Sequence, residues 1–263
     1  MSNQQQNQKL TQNTALSVNL NKIALLRNSR AGSYPCVVEH AKVCLGAGAD
    51  GITVHPRPDQ RHIRPDDVRD LQRLVAPLAD IEFNLEGNPF AGASDGYPGF
   101  VELVAETLPD QCTLVPDDDN QLTSDHGFDL TTAADKLEPI IAQLKDLGCR
   151  ISLFMDPDLT QIRLASELGV ERIELYTGPY AAQFNPNNEA FEQLFNQYYD
   201  AATLANELGL GVNAGHDLNL INLPKFREIP QLLEVSIGHA LTVDSLAMGM
   251  SNAVARYKKI CLN

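Results

Sequence analysis

The chain has 263 residues, of which 43% are hydrophobic and 21% charged, so it is long enough to bury a sizeable core. Its formal net charge of −14 argues against nucleic acid or an anionic membrane as the main partner, because either would be repelled at long range. No apolar run approaches the roughly 18 residues that span a bilayer, and the five cysteines form no CxxC pair. These features predict a cytoplasmic protein with reduced thiols.

The chain begins with a polar, Gln- and Asn-rich segment, MSNQQQNQKLTQNTA, which lacks the apolar core of a signal peptide. Residues 1–14 are therefore predicted to be a disordered tail. Residues 15–263 are predicted to form a single domain.

A helix-to-strand junction recurs along this domain. Four segments with helical periodicity end in Leu-Gly and pass within a few residues into an apolar, β-rich run. Glycine just after a helix supplies a left-handed cap, and the predicted caps are Gly46, Gly148, Gly169 and Gly209. The sequence therefore alternates between α and β.

Eight strands are predicted, with amphipathic helical stretches between them. The strands span residues 16–20, 51–55, 81–86, 112–116, 150–155, 172–177, 210–215 and 233–239. They read as apolar on both faces, as in a parallel sheet covered by helices, so we expect an α/β fold of the (β/α)₈ (TIM) barrel class. The stretch 188–209 is long for one barrel helix and leaves room for an extra helical segment. A doubly wound open sheet is the main alternative, but its first turn should carry GxGxxG, which VNLNKIALLRNSRAGS lacks.

Polar residues follow the apolar runs. They include Asn19, Asn21, His55, Glu86, Glu174, Tyr176, Thr177, Asn213, His216 and His239. A single histidine after a strand is more often a solvated loop residue than a catalyst. However, four of the six histidines (His55, His62, His216 and His239) lie at or just after predicted strand ends. Because these ends converge on one mouth of a barrel, and that mouth holds the active site, the pattern predicts an enzyme.

Glu86 ends the run FNLE, so its carboxylate is expected to point into the mouth with limited access to water. Desolvation would raise its pKa and make it a general acid or base near neutral pH. The alternative interpretation is a salt bridge with an arginine at the rim of the barrel.

Two glycine-bearing turns, NAGHD and SIGHA, follow the seventh and eighth predicted strands. Loops at these positions often bind phosphate through backbone N–H groups and a helix N-terminus. Arg30, Arg57 and Arg61 could bind a second anion, or could lie on a solvated, acid-paired surface. A metal site is not predicted, since the sequence has no HExxH motif and no Cys/His cluster with ligand spacing.

Long segments of the chain resemble the pyridoxine 5′-phosphate synthase family. They are VNLNKIALLRNSRAGSYP, GADGITVHPRPDQRHI, NLEGN, LVPDDDNQLTSDHGFD, IELYTGPYA, GVNAGHDL and SIGHAL. The resemblance implies a barrel enzyme that condenses two phosphorylated substrates, 1-deoxy-D-xylulose 5-phosphate and 3-amino-2-oxopropyl phosphate, with release of phosphate and water. It also implies that the enzyme needs no metal or organic cofactor and forms homo-oligomers, octamers among them.

The resemblance also implies roles for individual residues. His55 and Glu86 would be the proton acceptors and His216 the proton donor. Asn19, Arg30, Gly238 and His239 would hold the aminoketone phosphate. Arg57, His62 and Thr123 would hold the deoxyxylulose phosphate. Three residues at changed positions, Asn21, Lys22 and Asp217, are also counted as substrate-binding.

The chain departs from the family pattern at four places, all of which are expected at the mouth. The family's Asn-x-Asp-His-Ile is residues 19–23 here, with Asn21 and Lys22 at the changed positions. Its His-Gly becomes His216-Asp217, and its Ile-His-Thr-Gly becomes residues 175–178 with Tyr176 in place of the histidine. A later Gly-Arg becomes Val243-Asp244. Three alternatives therefore stay open: a paralogue acting on another phosphorylated carbonyl substrate, an isomerase or aldolase, and a non-catalytic barrel that binds a phosphorylated ligand.

Overall fold

The computed structural model describes residues 13–118 and 121–262. Eight parallel strands, β1 to β8 in chain order, close into a barrel in which β8 pairs with β1. The strands are Ala15–Asn19, Gly51–Val54, Glu82–Gly87, Gln111–Leu114, Arg150–Met155, Arg172–Tyr176, Gly211–Gly215 and Leu232–Ile237. The predicted (β/α)₈ fold is confirmed, and every predicted strand matches its counterpart to within two residues at each end.

Within the described residues, eleven helices surround or flank this barrel. In chain order, α1 to α11 are Asn21–Asn28, Val37–Gly46, Pro65–Val75, Phe100–Thr107, Leu130–Asp146, Leu159–Glu167, Gly178–Ala182, Glu189–Glu207, Leu223–Phe226, His239–Met248 and Met250–Cys261. The long stretch 188–209 forms one unbroken helix, α8, of 19 residues. The extra helical segment is the short α7, which precedes it.

Three of the four predicted glycine caps have left-handed backbone conformations. Their φ angles are 88° at Gly148, 69° at Gly169 and 82° at Gly209. The prediction for Gly46 is wrong: α2 continues through this residue, and the left-handed φ of 98° falls on Gly48 instead. A Leu-Gly pair therefore located the junction but not the residue at which the chain turns.

The barrel interior is polar, so the prediction that the strands are apolar on both faces is wrong. Buried residues such as Ile52 and Val54 belong to the hydrophobic core, whereas alternate strand residues face one another inside the barrel. Inside, Ser17 and Thr53 share a hydrogen bond of 2.6 Å, and Thr113 donates one of 3.1 Å to Asn84. The other buried polar residues on the strands include Glu86, Gln111, Ser152, Glu174, Asn213, Glu234 and Ser236.

Asn213 belongs to this interior and not to the mouth, where the sequence placed it. Its amide nitrogen donates to Glu234 Oε2 at 3.3 Å and to Gln111 Oε1 at 3.4 Å, and its oxygen accepts from Arg172 at 3.1 Å. Gln111 and Arg172 are the first residues of β4 and β6. Asn213 therefore lies toward the amino-terminal end of the barrel, opposite the mouth.

Residues 1–12 of the predicted tail lie outside the described residues. Thr14, the last residue of that predicted tail, is buried. Its backbone N–H donates to the carbonyl of Cys261 at 3.0 Å, and its hydroxyl donates to that of Leu232 at 2.6 Å. The ordered domain therefore includes Thr14. None of the helices in the described ranges is long and apolar enough to cross a membrane.

Candidate active site

A cavity of about 390 Å³ opens at the carboxyl ends of the strands. Twelve of the thirteen residues singled out from the sequence line it. They are Asn19, Asn21, Lys22, His55, Arg57, His62, Glu86, Thr123, His216, Asp217, Gly238 and His239. The remaining one, Arg30, is exposed in the segment after α1 and does not line this cavity. Closure of the barrel thus brings together residues that are up to 220 positions apart (from 19 to 239).

Glu86, near the end of β3, is held by amide and hydroxyl donors. Asn19 Nδ2 donates to its Oε2 at 3.2 Å, and Ser236 Oγ donates to its Oε1 at 3.4 Å. Burial, together with the negative charges of Asp117 and Glu234, raises the pKa of Glu86 to about 8. A carboxyl group with this pKa exchanges protons readily near neutral pH, which suits a general acid or base.

The alternative interpretation of Glu86, a salt bridge with an arginine at the rim, does not describe the structure. Arg57 instead forms a buried ion pair with Asp117, which also accepts a hydrogen bond of 2.8 Å from Ser124. Arg57 and Arg61 both donate to the carbonyl oxygen of Gln121, at 3.4 and 2.7 Å. These bonds hold the loop after β4 against the loop after β2, so both guanidinium groups lie at the cavity.

His55 follows β2 and lies against Glu86, with its Nδ1 3.9 Å from Oε2 of the carboxyl group. Burial and the nearby charge of Arg57 hold the pKa of His55 well below its usual range. Its backbone N–H donates to Asn21 Oδ1 at 2.9 Å, and the backbone N–H of Asn21 donates to Asn19 Oδ1 at 3.0 Å. An amide oxygen accepts such bonds as a carboxylate would, so Asn21 supports His55 without adding a charge.

His62 is also kept neutral. Its Nδ1 accepts a hydrogen bond of 2.9 Å from the backbone N–H of Ile63, which leaves the proton on Nε2. Burial, with the charges of Arg57 and Lys22, lowers the pKa of His62 to about 3. His62 therefore presents a neutral hydrogen-bonding group beside the cationic side chains of Arg57 and Lys22.

His216 lies directly after β7. Its Nε2 is 2.9 Å from the hydroxyl of Thr123, and its Nδ1 is 2.9 Å from Oδ2 of Asp217. The Tyr176 ring and the imidazole form a T-shaped contact, with 5.3 Å between the ring centroids. Two of the departures from the family pattern, Tyr176 and Asp217, therefore contact this histidine directly.

Gly238 and His239 place a helix N-terminus at the cavity, because α10 begins at His239 immediately after β8. The backbone N–H groups of a first helical turn have no partners within the helix and favour an anion. A Cβ at Gly238 would lie 3.0 Å from the Cβ of Asn19, so glycine favours the close approach of these two segments. The predicted phosphate position after the eighth strand therefore coincides with the start of a helix.

Glu174 was named in the sequence as a strand end but not as a site residue. It lines the cavity, and burial, with the negative charge of Glu86, raises its pKa well above the usual range. Its Oε2 lacks a hydrogen-bond partner among the described residues. A Cβ at Gly215 would lie 2.1 Å from its Oε1, so glycine on the neighbouring strand makes room for this carboxyl group. The alternation in RIELY was the pattern that could have identified it.

Asp244 does not belong to the cavity, contrary to its expected place at the mouth. Its Oδ2 accepts a hydrogen bond of 2.7 Å from the hydroxyl of Tyr257 and so joins α10 to α11. At this position, the departure from the family pattern therefore affects the packing of two helices and not the lining of the cavity.

The fold and the cavity together define a (β/α)₈ barrel protein with titratable and cationic side chains gathered at the carboxyl ends of its strands. The chain belongs to the family described as "Pyridoxal phosphate biosynthesis protein PdxJ", whose model matches residues 16–263. This confirms the family predicted from the sequence motifs.

Two relatives are similar over nearly their whole length. The chain is 54% identical over 249 residues to the pyridoxine 5′-phosphate synthase of Xanthomonas campestris pv. campestris, covering 94% of this chain and 96% of that protein. It is 51% identical over 252 residues to the enzyme of the same name from Xylella fastidiosa, covering 95% and 96%. Among solved structures, the tryptophan synthase alpha chain from Legionella pneumophila matches with a TM-score of 0.63 and 13% identity over 95% of this chain and 92% of that chain. The structural likeness shows the fold alone.

Proposed function

We propose that the chain is a pyridoxine 5′-phosphate synthase, which condenses 1-deoxy-D-xylulose 5-phosphate with 3-amino-2-oxopropyl phosphate to give pyridoxine 5′-phosphate, inorganic phosphate and water. The observation that carries the proposal is the composition of one cavity. Three groups that exchange protons, Glu86, His55 and His216, line the same cavity as the N-terminus of α10 and the side chains of Arg57 and Lys22. The high identity to relatives with this activity supports the same assignment.

The lining of the cavity offers groups for two phosphates. Backbone N–H groups at the start of α10, next to Gly238 and His239, would hold the phosphate of the aminoketone. Arg57, Lys22 and the neutral His62 would hold the deoxyxylulose phosphate. The lining thus gathers three cationic side chains, Lys22, Arg57 and Arg61, where the two anionic substrates would bind in an otherwise acidic protein.

Glu86 is placed to move protons on the bound substrates. Imine formation, enolisation, loss of phosphate, dehydration and ring closure each require a proton to be taken up or released. With a pKa of about 8, Glu86 holds a proton for most of the time near pH 7 in the empty cavity. The ammonium group of the aminoketone would favour the carboxylate and so prepare Glu86 to accept a proton from this substrate.

His55 and His216 act from two sides of the same cavity. Because His55 is held neutral, it is able to accept a proton, and it lies within 3.9 Å of Glu86. His216, which reaches the cavity from β7, would donate a proton to a leaving hydroxyl group or phosphate. Since the two histidines come from different strands, they can act on different atoms of one bound substrate.

A direct assay tests the proposal. Purified protein is mixed with both phosphorylated substrates, and pyridoxine 5′-phosphate and inorganic phosphate are measured together. We expect equal amounts of both products, dependent on both substrates. The E86Q variant, prepared in the same way, controls for a contaminating enzyme. Folded wild-type protein that forms neither product would contradict the proposal and direct the search to other phosphorylated carbonyl compounds.

We further propose that the protein is a homo-oligomer, an octamer by resemblance to its family. Several large apolar side chains are exposed on α1 and α10, two helices that pack against each other. They are Leu25, Leu26, Val243 and Leu246. Sedimentation velocity tests this: a single monomeric species at micromolar concentration would contradict it.

A further inference from the structure

The turn after β7 contains two consecutive residues with left-handed backbone conformations, although neither is glycine. The φ angles are 86° at His216 and 59° at Asp217. Such conformations are strained for residues with a side chain and persist only where the surroundings hold them. Glycine would adopt them freely, so the presence of a carboxylate at Asp217 calls for a reason.

Hydrogen bonds from neighbouring segments hold this turn in place. The hydroxyl of Thr177 donates to the carbonyl of Gly215 at 2.7 Å and also to that of His216. The side-chain amide of Asn222 donates to the carbonyl of Asp217 at 3.1 Å. The backbone of the turn is therefore fixed from both sides, and the Asp217 side chain is not needed to hold it.

The carboxylate of Asp217 is instead directed at the imidazole ring. Its Oδ2 lies 2.9 Å from Nδ1 of His216, while the other ring nitrogen, Nε2, lies 2.9 Å from the hydroxyl of Thr123. The charges around Asp217 favour an ionised carboxylate: the hydrogen bond from His216 lowers its pKa, and His239 and Lys22 act in the same direction. An ionised carboxylate accepts hydrogen bonds only, so Nδ1 must carry the proton.

We propose that Asp217 is a positioning residue for His216: its carboxylate fixes the ring orientation and the tautomer with the proton on Nδ1, so that Nε2 is the atom that exchanges a proton with the ligand. In the neutral ring, Nε2 then accepts a hydrogen bond from Thr123, and in the protonated ring it can donate to a ligand in the cavity. The edge contact with Tyr176 limits rotation of the ring. The role of Asp217 in catalysis rests on the proposed function, whereas the tautomer does not.

The tautomer is measured by nuclear magnetic resonance on protein with ¹⁵N-labelled histidine. Six histidines contribute signals, and the H216N variant identifies those of His216. We expect the wild-type protein to carry the neutral-state proton on Nδ1. The D217A variant should shift the population toward Nε2–H, whereas D217N, whose amide oxygen still accepts a hydrogen bond, should keep the wild-type tautomer. An unchanged tautomer in D217A, or a D217N protein that behaves like D217A, would overturn the proposal.

Kinetics supply a second measurement. We expect D217A to lower kcat by about 10- to 100-fold, with KM for both substrates changed by less than about threefold, because a positioning group acts on the proton transfer and not on substrate binding. D217N should recover most of kcat. A D217A variant with wild-type kcat would overturn the catalytic part of the proposal.

The matched control is D95A, because Asp95 is another exposed aspartate with a positive φ, 29°, but does not line the cavity. It should change neither the tautomer nor kcat. If the wild-type protein formed no product, the proposed function would fail, and the tautomer measurement would still decide whether Asp217 positions His216.

Discussion

Oε2 of Glu86 lies 3.9 Å from Nδ1 of His55, and both side chains are buried. An aspartate or glutamate this close to a histidine usually forms an ion pair, but burial favours the neutral form of each group here. It raises the pKa of Glu86 to about 8 and holds that of His55 well below its usual range. Below the raised pKa of Glu86, the site therefore holds a carboxylic acid beside a neutral imidazole, and a cationic group on a bound substrate would favour release of the Glu86 proton.

Replacement of Glu86 by glutamine should remove catalysis and retain binding. The glutamine side chain keeps the size of the original and an oxygen for the Asn19 amide, but cannot exchange a proton. We expect kcat to fall by about 10²- to 10⁴-fold, the usual contribution of a general acid or base. Stopped and continuous assays of pyridoxine 5′-phosphate formation measure this loss. E86Q protein with full activity would contradict the role of Glu86.

The same carboxyl group makes stability depend on pH. In the unfolded chain, Glu86 releases its proton near its ordinary pKa of 4.5, whereas the folded protein keeps it to about pH 8. Between these values the unfolded state binds fewer protons, so the free energy of unfolding falls as pH rises. Glu174 and Glu234, with pKa values raised by burial, act in the same direction.

Denaturant unfolding from about pH 6.5 to pH 8 measures this dependence. The lowered pKa values of His55 and His62 act with the opposite sign, with an effect that fades as pH rises above the ordinary histidine pKa of 6.5. Wild-type stability should therefore fall across this window, by at most about 1.4 kcal/mol per pH unit for each carboxyl group. The slope should be smaller for E86Q. Equal slopes for the two proteins would show that Glu86 titrates normally.

Asp117 is expected to affect both the stability of the fold and the dependence of kcat/KM on pH. Its negative charge contributes to the raised pKa of Glu86, and it is the buried partner of Arg57. D117N should destabilise the fold by about 3 kcal/mol, because Arg57 keeps a buried charge without its counter-ion. It should also lower the pKa of Glu86, which moves the acid limb of the kcat/KM profile to lower pH.

The pH profile of D117N is compared with that of D95N, in which an exposed aspartate outside the cavity loses its charge. D95N should leave both stability and the acid limb unchanged. A D117N profile that coincides with the wild-type profile would exclude an influence of Asp117 on Glu86.

The G238A variant tests whether the close contact between the ends of β8 and β1 is needed for substrate binding. A Cβ at this position would meet three atoms of Asn19, at 3.0 to 3.2 Å, so the G238A variant must displace Asn19 or the start of α10. Overpacking of this kind costs about 1–3 kcal/mol. Because both segments are expected to hold the aminoketone phosphate, its KM should rise by about tenfold or more, while KM for the deoxyxylulose phosphate changes less.

The matched control is G46A. Gly46 is the last residue of α2, a Cβ added to it would meet no atom within 4 Å, and its φ is not left-handed. Alanine is favoured over glycine in a helix, so G46A should preserve activity and stability. If KM for the aminoketone phosphate rose equally in G238A and G46A, the close contact between Gly238 and Asn19 would not be the cause.

The periodic pattern of the chain predicted the architecture because each strand and helix is specified by local residues. Apolar runs of four to six residues between glycine-bearing junctions are typical of parallel strands, and all eight predicted strands are present. The interior of the barrel was predicted wrongly. Short strands such as RIELY and EFNLEG alternate polar and apolar residues. The prediction gave weight to the apolar residues, which face the helices, and overlooked the polar residues, which face the interior.

The sequence alone determined the family, the fold class and most of the residues at the mouth, since motifs and strand ends are local features of the chain. Only the tertiary structure decided how those residues act on one another. It placed Asp117 against Arg57, turned Asp217 toward His216, added Glu174 to the cavity, and assigned Asp244 to a contact between helices. These relationships depend on burial and on distances between residues far apart in the chain, and pKa values, ion pairs and tautomers follow from those distances.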